Sequence, residues 1–196
     1  MFLALCLTYL PPLLIATAVI LFHKSKVPLR LIIYAVILGF LLGYPAGFLN
    51  GYTVHYWDFS PLAGFTEEPL KLIVLSLFLR RRPDIKEPMD VVVYAALISL
   101  AFAAQENFDY VFDPVDGYST HLAFSRAIGA IPLHASCGII MGYYYGQHVF
   151  RQSKYLLFLS LALPIIFHST FNIIVSVTDL LEIIYVPLLS FYAVYL

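Results

Sequence analysis

Charge is what this sequence has least of. Only 12% of its 196 residues are Asp, Glu, Lys or Arg, about half the share found in an ordinary soluble domain. That shortage excludes a soluble globular fold, whose surface must meet water on every side. Neither sign of charge is in excess: the formal net charge is -1, so no global field exists to attract nucleic acid. Cysteine is also scarce. Cys6 and Cys137 lie in separate apolar runs at no ligand-like spacing, and they read as small core residues, not as a disulfide. Internal repeats, low-complexity segments and composition shifts are absent too, so residues 1–196 read as a single domain.

Apolar residues fill the chain instead. They make up 61% of it, with a mean hydropathy of +0.86, and nearly uncharged runs recur at roughly the 20 residues a helix needs to cross a bilayer core. The expected fold is all-α, a polytopic transmembrane helical bundle embedded as a multi-pass protein of the cell membrane. Seven spans can be read, near 2–22, 31–49, 66–79, 91–112, 122–149, 155–178 and 183–196. The third is short and can be extended upstream through Pro61-Leu62-Ala63-Gly64. Met1 to Phe22 lacks a basic leading segment and stays apolar past Ala16-Thr17-Ala18, so it reads as a retained span, not a cleaved signal peptide.

The few basic residues carry the topology. Lys24, Lys26 and Arg30 occupy the first connection, Arg80, Arg81, Arg82 and Lys86 the third, and Arg151 and Lys154 the fifth. The second and sixth connections hold none, and the fourth has only Arg126 at its end. The positive-inside rule then puts the odd connections in the cytoplasm, the N-terminus outside and the C-terminus inside. Tyr52, Tyr56 and Trp57, in the turn-rich connection from Asn50 to Ser60, suit an interfacial aromatic belt.

Against this background the polar residues inside the spans stand out, because an ionisable group at membrane depth costs a few kcal/mol and usually faces the bundle interior. Glu67 and Glu68 open the third span at its outer end. Glu106 lies about 15 residues along the outward-running fourth span, and His134 about a dozen into the inward-running fifth. His168 lies at a similar distance along the sixth, with Asn172 one turn beyond. All reach the outer half of the membrane from four different helices. Glu67 and Glu68 stand four and three residues before Lys71, which can offset one carboxylate on the same helix face. Pro69 is expected in the first helical turn, where its missing N–H costs nothing.

The structural alternatives are definite. The glutamate pair can be an interfacial helix start solvated by water, Glu106 can bond to backbone or to a histidine, and a lone histidine in an apolar helix is more often a satisfied core residue than a ligand. Convergence of the whole set at one depth favours a buried polar site. His23, His55, His121 and His148 read as interfacial, and Arg126 with Asp109 as a pair or as snorkelling groups. Gly138, Gly142 and Gly146 predict close helix approach.

Taken in order, Glu67-Glu68-x-x-Lys71, Phe102-x-x-x-Glu106-Asn107, His134 followed by a glycine-bearing helix, and His168-x-x-x-Asn172 resemble the PrsW family of intramembrane proteases. More distantly they resemble the CAAX prenyl-endopeptidase group, where histidine replaces Glu106. The resemblance covers Glu67 to Asn172. It implies an intramembrane endopeptidase that hydrolyses a peptide bond of a membrane-anchored protein substrate, in a regulated proteolytic step, with Glu67, Glu68, Lys71, Glu106, Asn107, His134, His168 and Asn172 as the catalytic set.

Peptide hydrolysis needs an activated water, an oxyanion stabiliser and a proton for the leaving amine. In one scheme Glu67 is the base, helped by Glu106, while His168 and Asn172 donate to the oxyanion and Glu68 with Lys71 holds the base. In the other, Glu106, His134 and His168 bind a zinc ion and Glu67 remains the base, two histidines and a carboxylate being a known catalytic zinc set. Both place cleavage near the extracytoplasmic end of a substrate span. The rival classes are a non-catalytic membrane scaffold whose polar cluster binds partner transmembrane helices, and a small transporter, for which paired broken helices are missing.

Overall fold

A computed structural model describes residues 1–25, 27–57, 60–80, 84–113 and 117–196, without the side chains of 54–57, 113 and 179–181. Lys26, Arg81 and Arg82 of the topology argument, and the Tyr56 and Trp57 side chains of the aromatic belt, lie outside the described residues. The chain folds into helices α1 (Phe2–Phe22), α2 (Leu29–Trp57), α3 (Leu62–Leu79), α4 (Pro88–Val111), α5 (Thr120–Ile128), α6 (Ala130–Arg151), α7 (Lys154–Val177) and α8 (Asp179–Tyr195). A two-residue antiparallel pairing of β1 (Phe112–Asp113) with β2 (Gly117–Tyr118) closes the loop after α4.

Among the described residues, five segments are long and apolar enough to cross a membrane: α1, Leu29–Thr53 of α2, α4, α5 with α6, and α7. Helix α3 carries Glu67, Glu68 and Lys71, and α8 is shorter, at 17 residues. Three expected boundaries change. Helix α2 continues to Trp57, into the stretch expected to be a turn-rich connection, so Asn50 is helical. Helix α3 begins at Leu62, which places Pro69 inside the helix and the glutamate pair in its second turn. The fifth span is two helices: Gly129 has φ -105 and ψ -76, and the Glu182 side chain occupies the space a Cβ there would fill. Pro132 follows in the first turn of α6, where its missing N–H is no loss.

Helix α4 is the axis of the bundle, packed against α6, α2 and α1. Every residue from Asp90 to Ala103 is buried, so this helix is apolar all round because it has protein all round. Glycines set how close its neighbours come. A Cβ on Gly138 would sit 2.7 Å from the Ser99 Cβ, and one on Gly142 2.6 Å from the Val92 Cα. Small residues let membrane helices approach to backbone contact.

The two ends of the bundle differ. One end gathers the connections rich in Lys and Arg, where His23, Ser25 and Arg30 reach Asp90, Glu87 and Asp84. His23, expected to be interfacial, is buried there. The opposite end brings together the last turns of α2, α4 and α7 and the first turns of α3 and α6. The polar residues meet there.

Candidate active site

Four helices supply the centre. From α3 come Glu67, Glu68 and Lys71, all at most 2% exposed. Helix α4 gives Glu106, α6 gives His134 and α7 gives His168. The Lys71 ammonium donates to Glu68 Oε1 at 2.8 Å and to His134 Nδ1 at 3.0 Å, and it lies 3.7 Å from Glu67 Oε2. It also stands 4.3 Å from the centre of the Phe102 ring, where the ring face favours a cation. An ammonium only donates, so Nδ1 of His134 accepts and the hydrogen of the neutral ring sits on Nε2. That N–H reaches Glu106 Oε2 at 3.0 Å.

His168 meets the same acid from the other side, with Nδ1 at 2.8 Å from Glu68 Oε1. The two imidazoles lie 5.0 Å apart, edge to face. Glu67 is held separately: Asn50 on α2 donates from Nδ2 to Glu67 Oε1 at 2.9 Å, and Thr66 donates its hydroxyl to Asn50 Oδ1. Two carboxylate oxygens, Glu67 Oε2 and Glu68 Oε2, are buried without a hydrogen-bond partner among the described residues. A buried acceptor left unmade costs about 1–3 kcal/mol, and more when charged. A cavity of about 100 Å³ reaches the neighbours of these two oxygens: its lining includes Asn50, which holds Glu67, and His168, which holds Glu68, together with Glu106, Arg126, His134 and Asn172.

One atom each of Glu67, Glu68, His134 and His168 lies within 4.8 Å of the others, a group that could hold a metal ion. The two orphaned carboxylate oxygens and the two imidazoles are hard and borderline donors of the kind zinc takes. They fit such an ion once the Lys71 ammonium moves aside, because it now occupies the His134 Nδ1 lone pair and Glu68 Oε1. Glu106, expected as a ligand, stands outside this group and serves as the carboxylate behind His134.

Two expectations about the surroundings change. Arg126 does not pair with Asp109, which instead accepts from Gln105 at 2.5 Å. Arg126 donates to Glu106 Oε2 at 2.7 Å and to Asn107 Oδ1 at 2.5 Å, so Glu106 does have a basic partner, from 20 residues downstream. Asn172, expected at the oxyanion, donates to the Ser60 carbonyl at 3.1 Å. With Ser169, which donates to Pro61 O at 2.8 Å, it ties α7 to the start of α3. Asn50, Thr66 and Arg126 are the site residues that sequence reasoning missed. Arg126 had left a signal, as the one basic residue of the fourth connection.

Comparison with known proteins agrees with this architecture. The family model described as "PrsW family intramembrane metalloprotease" matches residues 27–196. Six curated proteins match, all named Protease PrsW. That of Clostridioides difficile is 29% identical over 148 residues, covering 71% of this chain and 62% of the relative. The Bacillus subtilis protein is 35% identical over 117 residues, covering 58% of this chain and 52% of the relative. The Oceanobacillus iheyensis protein is 31% identical over 176 residues, covering 85% of this chain and 80% of the relative. The chain thus spans little more than half the length of several relatives it matches. No solved structure matches it. The chain belongs to the PrsW family of intramembrane metalloproteases.

Proposed function

We propose that this chain is an intramembrane endopeptidase that cuts a membrane-anchored protein near the extracytoplasmic end of the substrate's span, with its own N-terminus outside and its C-terminus in the cytoplasm. The observation that carries the reading is the meeting of Glu67, Glu68, His134 and His168 within 4.8 Å, beside a polar cavity. Three carboxylates and two cations balance to one excess negative charge, which suits a site that takes up a proton or a cation during its cycle.

Glu67 is the general base. Asn50 fixes one of its oxygens, and the other is free of hydrogen bonds to take a proton from water. The hydroxide adds to the scissile carbonyl carbon, and the carbonyl oxygen becomes an oxyanion. Lys71 and His168, the latter once it takes up a proton on Nε2 while its Nδ1 donates to Glu68, are the donors that would stabilise it. The proton on Glu67 then passes to the leaving amine as the C–N bond breaks. Lys71 and Glu68 keep each other in place and His134 in its tautomer. Should a zinc ion bind in place of the Lys71 ammonium, Glu68, His134 and His168 would hold it and leave Glu67 as the base, and it would lower the barrier to water deprotonation and polarise the carbonyl. Asn107 and Asn172 support the site from outside, the first through Arg126 and the second through the α3–α7 junction.

The test is cleavage in cells and in liposomes. Membrane proteomes of a host expressing the chain or its Glu67→Gln variant, compared by mapping new protein termini, should reveal a single-span protein cut only by the unaltered chain. The purified chain should then cut that protein in liposomes. If no terminus depended on Glu67, and the chain instead retained intact partner helices through purification, the scaffold reading would replace this one.

A further inference from the structure

We propose that Arg126 is a positioning residue of the site, fixing the Glu106 carboxylate and, through it, the orientation and tautomer of His134. The kinetic part of this inference rests on the endopeptidase reading; the structural part does not.

Arg126 lies near the end of α5, three residues before the break at Gly129. Two nitrogens and the face of its guanidinium are engaged by one stretch of α4. Nη2 donates to Glu106 Oε2 at 2.7 Å, Nε donates to Asn107 Oδ1 at 2.5 Å, and the guanidinium carbon stands 4.2 Å from the Tyr110 ring centre. The arginine and glutamate side chains are 15% and 16% exposed, so the pair is largely withdrawn from water. Glu106 Oε2 also accepts from His134 Nε2 at 3.0 Å, so one oxygen is shared between the guanidinium and the imidazole.

The consequence follows from donor counting. Lys71 and Glu106 hold opposite nitrogens of His134. Without the guanidinium, Glu106 would be a nearly buried carboxylate with the imidazole as its remaining ring partner. It would have to turn away, draw in water or share the histidine's proton, and each outcome alters His134. Lysine cannot substitute fully, because the planar fork reaches two acceptors at fixed spacing and an ammonium does not. A carboxylate behind a histidine is also the usual means of fixing the tautomer of a metal-binding imidazole, and disturbing it typically costs about 10–100-fold in activity or affinity.

A mere staple between α5 and α4 would lower thermal stability and leave His134 alone. The discriminating measurement is nitrogen NMR of histidine-labelled full-length protein in liposomes treated with chelator, with the His134 signals assigned from His134→Gln. The unaltered chain should show a protonated Nε2 and an unprotonated Nδ1. Arg126→Gln should move or merge these two signals, and Arg126→Lys should move them less in the same direction. Unchanged His134 signals in Arg126→Gln overturn the proposal; if that variant fails to fold, unchanged signals in Arg126→Lys do so. With a cleaved transmembrane protein in hand, Arg126→Gln should lower kcat about 10–100-fold at unchanged KM. A change in KM alone would mean that Arg126 binds substrate and would overturn the positioning role. If the unaltered chain cleaves nothing, the endopeptidase reading fails while the nitrogen signals still decide this one.

Discussion

Both ends of the bundle hold a histidine against a carboxylate at nearly the same distance: His134 to Glu106 at 3.0 Å and His23 to Asp90 at 2.9 Å. The neighbours make the difference. Asp90 Oδ2 accepts the backbone N–H groups of Lys86 and Glu87 at 2.7 and 3.0 Å, closing the N-terminus of α4 as a capping box. Ser25 bonds Glu87, and Arg30 bonds Asp84. That end also brings His23, Glu87 and Asp90 within 4.8 Å, but both oxygens of Asp90 are committed to holding two loops together. At the opposite end Glu67 and Glu68 each keep an oxygen without a hydrogen bond among the described residues, and His134 and His168 beside them line a cavity. The same pair of residue types therefore stabilises a helix start in one place and leaves acceptors available for chemistry in the other.

The largest expected difference between the ends is in rate. Glu67→Gln keeps the shape of the side chain and removes its basicity, and a positioned base contributes about 10²–10⁴-fold. Turnover of a transmembrane protein in liposomes should fall by that factor with the melting temperature nearly unchanged. A variant that cleaves normally would make the polar end as structural as the basic one.

Next comes the buried cation. Lys71→Met leaves Glu68 and the facing His134 without their donor, and removing one partner of a buried ion pair costs about 3–5 kcal/mol. Unfolding in detergent should show a loss of that size, and the double variant Lys71→Met with Glu68→Gln should recover part of it. Absence of recovery would mean that the two residues do not act as a pair.

The contact between the ends runs along α6. Gly138→Ala would push a methyl group against Ser99 and the Ala95 carbonyl, an overpacking that costs about 1–3 kcal/mol. It should also slow cleavage, because His134 lies one turn away on the same helix and Ser99 bonds its carbonyl at 2.7 Å. Asp90→Asn should have the smallest effect, a loss of about 1 kcal/mol from a weakened helix cap with cleavage unaffected. Reduced cleavage at full stability would show that the basic end takes part in the reaction.

Metal content bears on the same contrast. Dialysis against zinc followed by elemental analysis should give one equivalent per chain, lost when His134 and His168 are both changed to Gln and retained when His23 is. Metal that stays in the double variant would shift the metal site to the basic end. Full cleavage in chelator, with no metal bound, would leave the glutamate and histidine scheme alone.

Much of this was legible along the chain. Low charge and long apolar runs fixed the helical membrane class, since hydropathy and length are properties of single segments. The depth of Glu67, Glu106, His134 and His168 followed from counting residues along those segments, and all four do meet at one end. The helix starts were less legible: Pro69 suggested a beginning, yet α3 starts at Leu62. The pairing of Lys71 with Glu68 was legible from their spacing on one helix, but most partners on other helices were not. That Asn50 holds Glu67 and Arg126 holds Glu106 depends on how each helix is rotated about its axis and how far it is shifted against its neighbours. Contacts such as those of Gly138 with α4 set that rotation and shift, and they join residues distant in sequence. The sequence by itself determined the helical membrane class and singled out Glu67, Glu68, Glu106, His134 and His168 as polar groups within apolar segments. Only the tertiary structure decided which of them face one another, because a hydrogen bond is fixed by angles and tenths of an ångström that no periodicity records.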